Sequence, residues 1–258
     1  MSILTDEIHY QIPSDSTITY SKELALNNTY DDTVLRIKKF QENNTNAVVT
    51  FIIPTIDRPS LIRTILSLLD QTNSRWNAII IFDGCEPQIS NFNEMIRDPR
   101  FLSICINRRG SNKIHNHSSA GAVRNIGMNL VTTPWIGFVD DDDFLHSEYV
   151  NKLIEEISVT PNAHVISFRM KDKNKIIPPI GHQSIQFGYI GISFAMKTVL
   201  FKNGFLFIQS EKEDFDLLNH IQQSGNTIVL SPYLTYFINY TNLSSHLIGA
   251  TRYIIHPK

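Results

Sequence analysis

The residues best suited to chemistry are concentrated in one stretch, Trp135-Ile136-Gly137-Phe138-Val139-Asp140-Asp141-Asp142-Asp143-Phe144-Leu145. The apolar part is too short for a helix and carries residues that favour a pleated surface, so it predicts a short buried strand. Four adjacent carboxylates repel one another, and a fold holds them beside its core only where positive charge accompanies them. A divalent cation would supply it, since hard oxygen ligands suit Mg²⁺ or Mn²⁺. Mg²⁺ is commonly held by one or two carboxylates plus substrate phosphates rather than by a full protein cage. The stretch therefore reads as a metal–diphosphate site at the carboxyl end of a central strand. The competing reading is a solvated acidic loop after an edge strand. A calcium loop of the EF-hand type needs alternate acids, a central Gly and a distal Glu, and Phe144-Leu145 breaks that pattern.

The elements that must position this run alternate strand and helix. Residues 47–53 form a β-branched run, as in a strand buried on both faces, and Pro54-Thr55 stops it. Asp57-Arg58-Pro59-Ser60 opens a helix, with Asp57 as its cap and Pro59 in the first turn. Leu61, Ile62, Ile65, Leu68 and Leu69 give that helix an apolar face. A second strand, 76–82, ends in Asp83-Gly84, a helix follows over 92–97, and 101–106 makes a third strand. A basic loop, 108–113, precedes a helix over 118–130 whose small residues allow close packing and which carries Arg124. This alternation predicts an α/β fold with a mostly parallel sheet and helices on both faces. Ligands bind such sheets beyond the carboxyl ends of the strands, where Pro54-Thr55, Asp83 and the Asp run all fall.

The second half is less regular. A helix is expected over 147–157, a strand over 164–168, a charged turn over 171–175, and loops around Pro178-Pro179-Ile180-Gly181 and Gly188-Tyr189-Ile190-Gly191. A short helix over 195–201 and a helix from Glu211-Lys212-Glu213-Asp214 to Ser224-Gly225 come next, then strands over 227–230 and 234–240. Residues 1–46 are polar, with one amphipathic face at Val34, Leu35, Ile37 and Phe40. They are expected to pack on the domain or to mediate self-association in a homo-oligomer.

At 258 residues the chain allows one large domain or two small ones. Its net charge of -2 argues against a nucleic-acid binder, which would carry a basic excess. Cys85 and Cys105 form neither a disulfide framework nor a zinc spacing and suit a reducing compartment. No leader of signal type and no apolar stretch of transmembrane length is evident, so a cytoplasmic protein, at most peripheral at a membrane, is expected.

From about residue 47 to about residue 240 the chain resembles the family 2-type glycosyltransferases of the GT-A fold. The pieces that carry the resemblance are Phe51-Ile52-Ile53-Pro54-Thr55 with Arg58-Pro59, Ile79-Ile80-Ile81-Phe82-Asp83-Gly84, Gly121-Ala122-Val123-Arg124-Asn125-Ile126-Gly127, the Asp-x-Asp-Asp pattern at Asp140–Asp143, and Glu213-Asp214. The resemblance implies a nucleotide-sugar donor, most simply a UDP-sugar, a carbohydrate or glycoconjugate acceptor, Mn²⁺ or Mg²⁺, and inversion at the anomeric carbon. It divides 47–258 into a nucleotide-sugar-binding half, 47–145, and a smaller, irregular acceptor-binding half, 146–258. Pro54, Thr55, Arg58 and Asp83 then contact the nucleoside. Phe82 stands where the family has the first of two acids. Asp140 reaches the ribose, Asp141 is the intervening position, Asp142 holds the metal, and Arg124 binds the donor. Asp214 is the base for the acceptor hydroxyl and Glu213 supports it; without the resemblance, helix capping would explain Asp214 equally well.

His115, His117, His182 and Trp135 read as exposed or structural, His246 as at most a minor metal ligand, and Tyr189 as packing or stacking on an acceptor sugar. Two rival functions are a sugar nucleotidyltransferase, which would want a Gly-rich phosphate loop where Pro54-Thr55-Ile56-Asp57-Arg58 stands, and a catalytically inactive module that binds nucleotide or glycan.

Overall fold

A computed structural model describes residues 30–90, 92–106 and 120–238. The basic loop 108–113, His115, His117 and His246 lie outside the described residues. The elements in chain order begin with α1 (Tyr30–Asn43), β1 (Val49–Thr55), α2 (Leu61–Leu69), β2 (Trp76–Asp83), α3 (Phe92–Met95), β3 (Phe101–Ile106), α4 (Ala120–Met128) and β4 (Trp135–Phe138). There follow β5 (Phe144–Leu145), α5 (Tyr149–Val159), β6 (Val165–Asp172), β7 (Lys175–Ile177), β8 (Phe194–Lys197), α6 (Thr198–Lys202), α7 (Glu213–Gln223) and β9 (Ile228–Ile238).

All nine strands share one sheet, ordered β3-β2-β1-β4-β8-β6-β9-β5, with β7 paired to β6. The first four strands are parallel. The second half joins through the antiparallel pairs of β8 with β4 and β6, while β9 returns parallel to β6. Every residue of β1, β2 and β4 is buried, which is why those runs are almost continuously apolar. Gly127 lets α4 lie close on this sheet, since a Cβ there would come within 2.8 Å of Ile52 and 2.6 Å of Ile81. Only part of the expected N-terminal face packs on the domain: Ile37 and Phe40 are buried, Leu35 is exposed, and Arg36 donates to the Ser103 carbonyl at 2.8 Å.

Several local expectations shift. Pro54 and Thr55 lie inside β1, opposite Ile81 and Phe82. The β4 ladder ends at the Ile52–Phe138 pair, so Pro54 falls where one side of β1 has lost its partner and a missing N–H is tolerated. Asp57 does not cap α2. Its φ of 67° is left-handed, its carboxylate accepts from the Gln88 N–H at 2.8 Å, and Ser60 is the cap residue. The segment 195–201 is not one helix, because Phe194–Lys197 pair with β4 and β6 before α6 begins. The charged turn at 171–175 is the tip of the β6–β7 hairpin. The last two expected strands are one strand, β9, whose register against β6 slips around Pro232.

Candidate active site

The acidic run is a turn, closed by the Asp143 N–H on the Asp140 carbonyl at 3.1 Å. It begins where β4 stops and sits beside the end of β1. Two neighbours pin its backbone. From α2, Thr64 Oγ1 donates to the Asp143 carbonyl at 2.6 Å, and Arg63 donates to the Asp142 carbonyl. From β9, the Tyr236 hydroxyl accepts the Asp140 N–H at 3.2 Å and donates to Asp143 Oδ2 at 2.8 Å.

The four carboxylates divide by position. Asp141 and Asp143 are buried. Asp141 Oδ2 accepts from Thr55 Oγ1 at 2.7 Å, and its Oδ1 accepts from Arg58 Nη1 at 3.1 Å. Burial pushes the Asp141 carboxyl above its ordinary pKa, against the pull of Thr55 and Arg58. Asp140 and Asp142 keep 34% and 31% of their side chains open. Asp142 Oδ2 also takes a hydrogen bond from Arg58 at 3.2 Å, and the Arg58 side chain is half exposed.

Asp140 leads to the second acidic group. Its Oδ1 accepts from Arg124, which is buried on α4. The same guanidinium donates to Glu213 Oε1 at 2.8 Å and lies 3.7 Å from Asp214 Oδ1. Glu213 Oε1 also accepts the Gly121 N–H at 2.9 Å, tying the start of α4 to the start of α7. Mutual hydrogen bonds between the Asn125 side chain and the Phe207 backbone, at 2.9 and 3.0 Å, fix the connection leading to α7. Burial opposes the Arg124 charge, but Asp140, Asp214 and Glu213 outweigh it and hold the pKa above the ordinary arginine value.

Asp214 is poorly solvated. Among the described residues its Oδ1 is buried without a hydrogen bond, while 26% of the side chain stays open. Burial drives its pKa up to about 7; Arg124 opposes the shift, and Asp140 and Glu213 add to it. The cap residue of α7 is Lys212, with no side-chain cap bond, so Asp214 does not act as the helix cap.

Of the other expected site residues, Asp83 is buried at the end of β2, level with Ile106. Phe82 fills its site with carbon, packing edge-on against Phe92 at 5.1 Å. Arg63, Thr64 and Tyr236 were not among the sequence candidates. An Arg-Thr pair on a helix facing an acidic turn could have drawn attention to the first two, but no sequence signal brings Tyr236 to Asp143.

Among the described residues, no group of three or more His, Cys, Asp and Glu side chains forms a ready cage for a metal. The donor set still fits a hard divalent cation. Asp142 offers a part-open carboxylate on the turn, and the remaining ligands would come from a diphosphate and water. No helix among the described residues is long and apolar enough to cross a membrane.

An uncharacterized glycosyltransferase of Haemophilus influenzae is 25% identical over 120 residues, covering 46% of this chain and 37% of that protein. The putative colanic acid biosynthesis glycosyl transferase WcaA of Escherichia coli is 35% identical over 104 residues, covering 38% of this chain and 33% of that protein. The matched stretches thus span about a third of the length of these curated relatives. Solved structures share the fold. S. aureus TarS 1-349 in complex with UDP-GlcNAc aligns with a TM-score of 0.60 at 16% identity, over 80% of this chain and 61% of that one. The mannosyltransferase PcManGT of Pyrobaculum calidifontis, in complex with GDP-Man and Mn²⁺, aligns at 0.55 and 11% identity, over 85% and 68%. The family model for glycosyl transferase family 2 matches residues 50–214, from within β1 to Asp214 itself, and the chain belongs to that family.

Proposed function

We propose that the protein transfers a sugar from a nucleoside diphosphate donor to an acceptor hydroxyl with inversion at the anomeric carbon. The observation that carries this reading is the meeting on Arg124 of Asp140, at the donor-side turn, with Glu213 and Asp214 on α7. One buried cation thereby sets a carboxylate with a pKa of about 7 beside the acidic turn. That value suits a general base working near neutral pH.

Asp214 takes the proton of the acceptor hydroxyl as its oxygen attacks the anomeric carbon. The bond from that carbon to the diphosphate oxygen breaks, and its electron pair leaves with the nucleoside diphosphate. Asp142 would hold Mn²⁺ or Mg²⁺, which when bound neutralises charge on the diphosphate. Asp140 would reach the ribose, with Arg124 holding its carboxylate in place. Pro54, Thr55 and Asp83 would line the nucleoside, with Asp83 accepting from the uracil N3–H. Asp141 would support the site by holding Arg58, which would contact the nucleoside. Residues 146–238 would supply the acceptor side. The TarS complexes hold UDP-GlcNAc and UDP, in line with a uridine donor, while the PcManGT complex holds GDP-Man.

The test is calorimetric competition among UDP, GDP and CDP with Mn²⁺ present, followed by release of UDP from UDP-sugars. Preferred UDP binding and UDP-sugar turnover support the reading. Preferred GDP binding would overturn the uridine assignment, and nucleotide binding without turnover of any donor would favour a binding module.

A further inference from the structure

We propose that Phe187, braced by Phe215, is a stacking shelf for the apolar face of a pyranose ring in the acceptor. The proposal rests on the glycosyl-transfer reading and names the class of acceptor it would use.

Phe187 has 68% of its surface exposed, a large apolar area to leave in water. The ring is nevertheless held in place. Phe187 packs against Phe215 with centroids 5.8 Å apart and an interplanar angle of 71°. The Lys212 ammonium lies 5.7 Å from the centre of each ring, a cation–π contact that favours this arrangement. The backbone displays Phe187 at the corner of a tight turn, closed by the Tyr189 N–H on the Gln186 carbonyl at 3.1 Å. Gly188 follows it with φ +82°, the left-handed conformation that the third residue of a type II turn adopts.

The loop bearing that turn is anchored from within the fold. Arg169, buried on β6, donates to the carbonyls of Pro178 and Pro179 at 2.6 and 2.5 Å and to that of His182 at 3.4 Å. Its guanidinium is spent on fixing this loop.

Position selects the occupant. Phe215, which braces the shelf, follows Asp214 in the first turn of α7, about 100° round the helix from it. A sugar chain seated there lies at the same helix start as the proposed base. A pyranose ring fits chemically, because its axial C–H bonds meet the electron-rich face of an aromatic ring while its hydroxyls stay at the rim. Tyr189, packed on the His182 ring at 5.1 Å, supplies a polar group on the same loop.

The experiment uses saturation-transfer NMR on the full chain with UDP and Mn²⁺ present. The probes are methyl β-D-glucopyranoside and methyl β-D-galactopyranoside, with sorbitol as an acyclic polyol control. Calorimetry of UDP runs in parallel on Phe187→Ala and Phe187→Tyr. The expected result is saturation concentrated on the protons of one ring face, at least threefold weaker in Phe187→Ala, retained in Phe187→Tyr, and absent for sorbitol. UDP affinity and melting temperature should match the wild type in both variants. Unchanged saturation in Phe187→Ala, or equal saturation of sorbitol, would overturn the shelf alone. So would loss of sedimentation with phosphatidylglycerol vesicles in Phe187→Ala while pyranoside contact persists, which would assign the rings to a membrane surface. Failure of the wild type to bind any of UDP, GDP and CDP would break the glycosyl-transfer reading and the shelf with it.

Discussion

The turn after β4 and the start of α7 are both acidic, but they solvate their carboxylates in opposite ways. In the turn, the protein supplies donors: Thr55 and Arg58 to Asp141, Arg58 to Asp142, Tyr236 to Asp143. At α7, Glu213 takes Arg124 and the Gly121 N–H, whereas Asp214 Oδ1 has only the edge of Arg124 at 3.7 Å. The difference separates holding charge from exchanging protons. A carboxylate held by good donors is set in place and can face a cation. One that is desolvated and under-bonded takes a proton at neutral pH, as a base must.

The largest stability effect should come from Arg124, which both groups share. Arg124→Met leaves Asp140, Glu213 and Asp214 without their buried cation and should cost about 3–5 kcal/mol, read as a fall in the urea midpoint. Arg124→Lys keeps the charge, loses the forked donation and should lose less. A drop confined to activity in Arg124→Met would mean that the two acidic groups do not depend on each other.

Next in size is the turn's own solvation. Tyr236→Phe removes the donor to the Asp143 carboxylate and should cost about 1.5–3 kcal/mol, the range for hydrogen bonds to charged groups. The variant should unfold at lower urea with an unchanged slope. Unchanged stability would show that Asp143 is solvated some other way.

The smallest effect is a pH dependence of stability. The folded chain holds a proton on Asp214 up to about pH 7, whereas the unfolded chain releases it near the ordinary value of 3.8. Between these values the native state binds more protons, so this group makes stability fall as pH rises, with the full penalty above about 7. Asp214→Asn removes the penalty. For a carboxylate that is a quarter open, the gain at pH 8 should be on the order of 1 kcal/mol, or about 2–4 °C in Tm. It should vanish below pH 3.8. An equal Tm change at both pH values would assign it to packing rather than to charge.

Much of the sheet that carries the candidate residues was legible because its signals are local. The buried runs of β1, β2 and β4 are continuous in sequence, and each leads directly to candidate residues. The parallel half of the sheet followed from strand–helix alternation alone. What the sequence hid depends on distant pairing or unusual backbone. Arg124 meets Glu213 across 89 residues, and Tyr236 meets Asp143 across 93. Asp57 looks like a cap until its left-handed φ turns it toward Gln88. Ala195 and Met196 favour helices, yet pairing with β4 and β6 overrides that preference. Ser231-Pro232 looks like a break between strands, but β9 absorbs it as a slip in register.

On the proposed mechanism, Asp214 is the base, poised by burial beside Arg124. The most direct test is the pH dependence of sugar transfer at saturating donor, in wild type and in Asp214→Asn, with UDP affinity measured alongside. The wild type should lose activity as pH falls through about 7. The variant should bind UDP normally, transfer about 10²–10⁴-fold more slowly, and lack that acid limb. Near-wild-type transfer by Asp214→Asn, with the acid limb intact, would contradict the account.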